Sequence, residues 1–300
     1  MKKIYLLCTV SFCLTIIGCT QCSKKGKSNN LIEESCTEFT RFLHIVKESC
    51  GTESVATNLE NLNIDVDIRS NFKKTINYPI CTAQFNNDSK IYSDISPNTT
   101  FKLSYPIFKK LVKQKVNENF TKVTFSYVVV SEEFLDDCKK HLSTINDAAD
   151  IKRLEGLKGK LYSIITFRHS DSTKNESYLI FDLMKEHKIN ITKTNLDQYY
   201  NNFRSSSIAN DIRKIDTANT EVTSGVVYDL KTTQDYLQLI DYYFVNCENK
   251  NVDILRFEIC YGTKNYNNTK NAIYFATIPE EKGVILNSHF PYFDQGSLEP

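Results

Sequence analysis

The chain has 300 residues, 41% of them hydrophobic and 24% charged, with a formal net charge of +1. This composition excludes a disordered chain, a polytopic membrane protein and a collagen-like fibre, and the near-zero charge gives no electrostatic case for a nucleic-acid partner. Only nine glycines are present, which leaves little material for Gly-rich phosphate loops.

The N-terminus carries the most specific signal. Met1-Lys2-Lys3 is a short basic region, and Ile4 to Ile17 is apolar, interrupted only by Ser and Thr. Those 14 residues are fewer than the roughly 20 needed to span a bilayer, and they fit the hydrophobic region of an export signal. The stretch ends Ile16-Ile17-Gly18-Cys19, which resembles the bacterial lipobox. The resemblance implies diacylglycerol attachment to the Cys19 thiol and cleavage after Gly18. The expected organisation is a signal at 1–18, a polar tether at 19–30 and one globular region at 31–300, with sub-units dividing at 190/191. The competing reading is a plain secretory signal in which Cys19 is incidental. Cys19 and Cys22 form a C-x-x-C, but no second pair follows, so no zinc or redox site is assigned.

Ile32, Cys36, Phe39, Leu43, Val46 and Cys50 recur on one helical face, which predicts a helix over 31–50 with Asn30 as N-cap and Gly51 at its end. Ile64 to Ile68 alternates as a half-buried strand does, which makes Asp65 and Asp67 a solvent face rather than a carboxylate pair. Pro106 to Val116 reads as a helix with Pro in its first turn. A unit of strand, helix, strand and strand follows: 124–130, 131–145, 161–167 and 178–183, the last two joined by a polar hairpin loop, His169 to Asn175. Leu196 to Ile215 is a further helix. The same order then recurs: a strand at 222–228, a helix at 232–247, and strands at 254–261 and 272–278. This is either a diverged duplication or a common α+β pattern. The fold class predicted is α+β, with a mixed or antiparallel sheet and packed helices.

Lysine outnumbers arginine 30 to 7 and there are 28 asparagines, a bias that suggests an AT-rich genome. The segment from about 195 to 300 ends Tyr292-Phe293-Asp294-Gln295-Gly296-Ser297-Leu298-Glu299-Pro300. It resembles a group of uncharacterised Bacteroidota proteins whose tail runs Gly-x-Leu-Cys-Pro, with Glu299 standing here in place of the Cys. The resemblance informs origin and fold and carries no activity.

The zincin, nucleophile-elbow, Walker and dinucleotide-binding motifs are all missing. The histidines at 44, 141, 169, 187 and 289 show no ligand spacing, so no metal ligand and no cofactor is assigned. His44 and His141 read as surface or boundary residues of helices. The weak catalytic candidates are His169 and Asp171, because a strand end Arg168-His169-Ser170-Asp171 can hold an acid–base pair. A solvated hairpin loop explains the same residues more simply. Tyr199-Tyr200 and Tyr242-Tyr243 serve either as stacking platforms or as core.

Removing Cys8 and Cys13 with the signal, and Cys19 to lipid, leaves cysteines 22, 36, 50, 81, 138, 247 and 260. An odd number leaves at least one thiol unpaired, with Cys22 in the tether the candidate. Cys36, Cys138 and Cys247 fall on apolar helical faces, where a free thiol packs as a small hydrophobe. Cys36 and Cys50 would lie about 21 Å apart on one intact helix, and a disulfide needs Cα atoms within about 7 Å. An oxidised Cys36 therefore requires a distant partner, such as Cys81 or Cys260.

The functional expectation is a lipid-anchored protein of the bacterial cell envelope, at the outer membrane. It touches the membrane through its N-terminal lipid and binds an envelope protein or a small ligand. The alternatives are an envelope hydrolase with an unrecognised site and a plain secreted protein.

Overall fold

A computed structural model describes residues 36–37, 40, 89–91, 100–144, 146–180, 186–190, 193–215, 224–262, 273–286 and 297–299. Cys36, Thr37 and Thr40 are helical, in keeping with the predicted helix over 31–50. The rest of that helix, the predicted strand at 64–68, Cys19 and the tether all lie outside the described residues.

In chain order the described elements begin with β1 (Ser89–Ile91), β2 (Thr100–Ser104), α1 (Tyr105–Asn117) and β3 (Phe120–Val129). Next come α2 (Glu132–Thr144), α3 (Ala148–Glu155), β4 (Leu161–His169), a single 3-10 turn (Ser172–Lys174), β5 (Glu176–Ile180) and β6 (Glu186–Ile189). Then follow α4 (Lys193–Arg204), α5 (Ser207–Ile215), β7 (Gly225–Asp229) and α6 (Leu230–Ile240), which continues as a π-helical stretch, Asp241–Cys247. The last strands are β8 (Ile254–Gly262), β9 (Ile273–Glu281), β10 (Val284–Ile285) and β11 (Ser297–Glu299). The fold is α+β, and every strand pairing among the described residues is antiparallel.

One sheet runs β11-β7-β3-β4-β5-β6. In the other, β8 lies between β9 on one side and β1 and β2 on the other, and β10 pairs with the far edge of β9. β3 is rich in aromatic and β-branched residues, which suit a pleated surface. Val123 to Val128 are all buried, so both faces of β3 are covered. α1, α4 and α6 all pack against it.

Aromatic rings tie the two sheets together. Phe257 of β8 stacks on Phe101 of β2 at 4.9 Å between centroids and lies 4.8 Å from Phe125 of β3. Phe125 in turn meets Phe108 of α1 and Tyr228 of β7. Such ring pairs add about 1 kcal/mol each beyond their buried area. The Tyr105 hydroxyl donates to the Leu237 carbonyl at 2.9 Å, locking the start of α1 to α6.

Several boundaries differ from the sequence reading for local reasons. The helix predicted over 196–215 is two helices. Ser206 breaks it, because its Oγ accepts from the Ala209 amide and starts a new helix. The helix predicted at 232–247 begins earlier, where the Asp229 carboxylate accepts from the Thr232 amide at 2.7 Å. α3, β6 and the short strands β1, β2, β10 and β11 are additions. The two strand–helix–strand–strand units are also arranged differently. β4 and β5 stay beside β3, whereas β8 and β9 leave β7 and build the second sheet. Because β7 pairs with β3, the chain on either side of residue 190 shares one sheet.

The π-helical stretch ends at Cys247, which forms a disulfide with Cys36 across 211 residues of sequence, with Cα atoms 5.2 Å apart. The expectation of a distant partner for Cys36 is met, but by Cys247 rather than Cys81 or Cys260. The apolar stripe that suggested simple burial of Cys247 carries the helix to a position where its thiol meets another helix. Cys138 is free and buried. Closing so long a loop stabilises the fold by roughly 2–5 kcal/mol. Cys247→Ser is expected to lower Tm by roughly 5–15 °C. Reductant should reproduce the drop in the wild type and add little to the variant, as read by differential scanning calorimetry.

Candidate functional site

The residues with the most chemistry cluster where α2, α3 and β6 meet. Just past the end of α2, Asn146 has a φ of 58°, a left-handed conformation that asparagine tolerates after a helix C-terminus. The Asp147 amide then closes the turn on the Leu142 carbonyl at 3.2 Å. Asp147 is immediately the N-cap of α3, yet its side chain makes no capping hydrogen bond. Asp150, three residues on, projects from the first turn of α3 on the same side. Leu142 and Leu154 are fully buried and hold the corner rigid.

His187 comes from the other direction. It lies on β6, opposite Leu179 of β5, and is buried. His187 Nε2 hydrogen-bonds Asp150 Oδ2 and lies 3.8 Å from Asp147 Oδ2. Asp150 is fully buried, and its other oxygen, Oδ1, has no hydrogen-bond partner among the described residues. Donor atoms of Asp147, Asp150 and His187 all lie within 4.8 Å of one another. Burial pushes the Asp150 carboxyl up, the His187 hydrogen bond pulls it back in part, and Asp147 raises it further.

Next to this group is a small cavity of about 110 Å³ lined by, among others, Phe134, Cys138, His141, Ile189 and Tyr199. Ile189 and His187 alternate with exposed Lys188 along β6, so both point inward on one side of the strand. Burial, followed by the nearby His187, holds His141 below its ordinary value. Asp137 borders the cavity and is engaged by the Tyr199 hydroxyl at 2.5 Å and the Asn195 amide at 3.1 Å. Burial and then Asp137 push the Cys138 thiol up to about 12, so it stays protonated at neutral pH and offers no thiolate nucleophile. The volume is below the roughly 300–1,000 Å³ of drug-sized ligand pockets and suits an ion with its waters or a very small polar molecule.

His169 and Asp171 lie elsewhere, on the exposed β4–β5 hairpin. The Asp171 amide donates to His169 Nδ1 at 3.0 Å, so it is backbone rather than carboxylate that meets the ring. The Asp171 carboxylate instead accepts from the Thr173 amide and hydroxyl, and these bonds hold it below the usual carboxylate range. The carboxylate builds the turn, and the hairpin-loop reading accounts for both residues. Tyr199 serves as core and cavity wall, packing edge-on against Phe134 at 5.1 Å. The neighbouring Tyr200 hydroxyl donates to Ser126 of β3 at 2.9 Å.

Sequence spacing gives no hint of the group that does assemble. His187 is a lone histidine on a four-residue strand, 37 residues from Asp150. The one usable signal is Asn146-Asp147-Ala148-Ala149-Asp150, which reads as a helix stop, a helix start and a second carboxylate one turn later. Comparison with known protein families, with curated proteins and with solved structures finds no match.

Proposed function

We propose that this chain is a lipid-anchored protein of the bacterial cell envelope that acts by binding rather than by catalysis. The observation that carries the reading is the Cys36–Cys247 disulfide. Disulfides form and persist outside the reducing cytoplasm, which is where the N-terminal signal would send the chain. Cys36 is 17 residues beyond Cys19, so the covalent link lies close in sequence to the point of acylation. The other support is the small cavity beside His187, whose single cysteine is held protonated. Its occupant would be an ion or small polar ligand, and an envelope protein partner would bind elsewhere on the surface.

Anchoring is tested by Cys19→Ala. The variant is expected to leave the membrane fraction or to accumulate as uncleaved precursor, and to lose metabolic palmitate labelling. Persistence of the label in the variant would overturn the assignment of Cys19.

A further inference from the structure

We propose that Asp147, Asp150 and His187 bind one divalent transition-metal ion, with Zn²⁺ the best match to their chemistry. The inference is independent of how the chain is anchored. One imidazole nitrogen and two carboxylate oxygens form a mixed N/O donor set of the kind that holds Zn²⁺ with a position left open for water.

Three observations converge on it. With both carboxyls ionised, these three groups set two carboxylates against one imidazole, so even a protonated ring leaves a net negative charge. A divalent cation on a neutral ring brings the sum to zero. Secondly, Asp150 is fully buried with Oδ1 unpartnered, on the same carboxyl carbon whose Oδ2 meets His187. A buried carboxylate oxygen without a partner carries a large desolvation cost that a cation would remove. Thirdly, Asp147 occupies an N-cap but does not cap. Its Oδ2 is 3.8 Å from His187 Nε2, too far for a hydrogen bond and close to the roughly 3.3 Å separation of two ligands on one zinc. Binding needs small changes. The His187 Nε2 lone pair goes to the metal in place of a proton, which leaves to water or moves to Nδ1, and the His187–Asp150 hydrogen bond opens to admit the ion.

A plain buried His–Asp bond is the competing account, and Asp147 separates the two. It has no part in that hydrogen bond, so the bond alone predicts no change of metal affinity in Asp147→Asn. The full chain, purified in detergent and stripped with chelator, is dialysed against micromolar free Zn²⁺ and the metal counted by mass spectrometry. One tightly held zinc per chain is expected, with affinity at least tenfold weaker in Asp147→Asn at unchanged circular dichroism. X-ray absorption of the wild-type zinc complex gives a second readout that needs no variant: one imidazole, oxygen otherwise and no sulfur. Absence of retained zinc, full retention by folded Asp147→Asn, or a sulfur-containing coordination shell would each overturn the proposal.

Discussion

Replacing Lys115 with alanine is expected to destabilise the fold by about 3 kcal/mol. Lys115 lies on the core face of α1 with its side chain only 3% exposed, a place where lysine is almost never found unless paired. Its ammonium reaches Glu118 and Glu176, both at 2.6 Å, and sits 4.9 Å from the ring centre of Phe120. Alanine removes the buried stem, both ion pairs and the cation–π contact. Glu176 keeps the Tyr178 hydroxyl at 2.6 Å and Lys188 at 2.5 Å, which limits the loss. Lys115→Met, which retains the stem, is expected to recover about half of it.

The same cluster sets part of the acid limb. Burial alone would raise the Glu176 carboxyl, but hydrogen bonds from Lys115, Lys188 and Tyr178 outweigh it and hold the group at about 2, down from 4.5. A carboxylate depressed in the folded state contributes stability that is complete above its unfolded value and lost as pH falls through the folded one. Wild-type stability should therefore fall between pH 4.5 and pH 2, and Lys115→Ala should flatten that limb. Urea unfolding across this range reads both effects. A Lys115→Ala protein as stable as wild type at pH 7, with the same acid limb, would contradict the role assigned to the cluster.

Gly225→Ala should also cost about 3 kcal/mol, for a steric reason. Gly225 starts β7 between β3 and β11, opposite Ser126 and Glu299. A Cβ there would stand 2.5 Å from the Phe125 carbonyl oxygen and 3.2 Å from the Ser126 Cα. Both obstacles are backbone of a buried strand and cannot rotate away, so the β3–β7 register must distort. Gly159 is the control. Its φ of 77° favours glycine, but a Cβ there meets nothing within 4 Å, so Gly159→Ala should cost only about 1 kcal/mol. Chemical denaturation midpoints rank the two, and a Gly159→Ala cost equal to or above that of Gly225→Ala would contradict the close-approach argument.

What the sequence disclosed follows from period and punctuation. α1 was legible because Pro106 fixes its start and its apolar residues recur on one face. β4 and β8 were legible as apolar runs, and α2 as a stripe through Leu135, Cys138 and Leu142. The split at Ser206 was not, since the stripe continues on both sides and only the serine's hydroxyl ends the first helix. Sheet membership was hidden as well. Nothing in the composition of β8 says that it leaves β7 for β2 and β9, because long-range pairing depends on which faces find cover. The disulfide was half legible. Helix length excludes Cys50 for Cys36, while the choice of Cys247 rests on where the π-helical stretch ends. The candidate metal site was the least visible, being made of an edge-strand histidine and a helix corner that meet only in the folded chain.

The central claim is that the protein is exported and held to a membrane by a lipid on Cys19. Mass spectrometry of the N-terminal peptide, from protein extracted from bacterial membranes, tests it most directly. The account predicts a chain beginning at Cys19 with a diacylglycerol-modified thiol. A mature N-terminus at any other residue, or an unmodified Cys19, would contradict it.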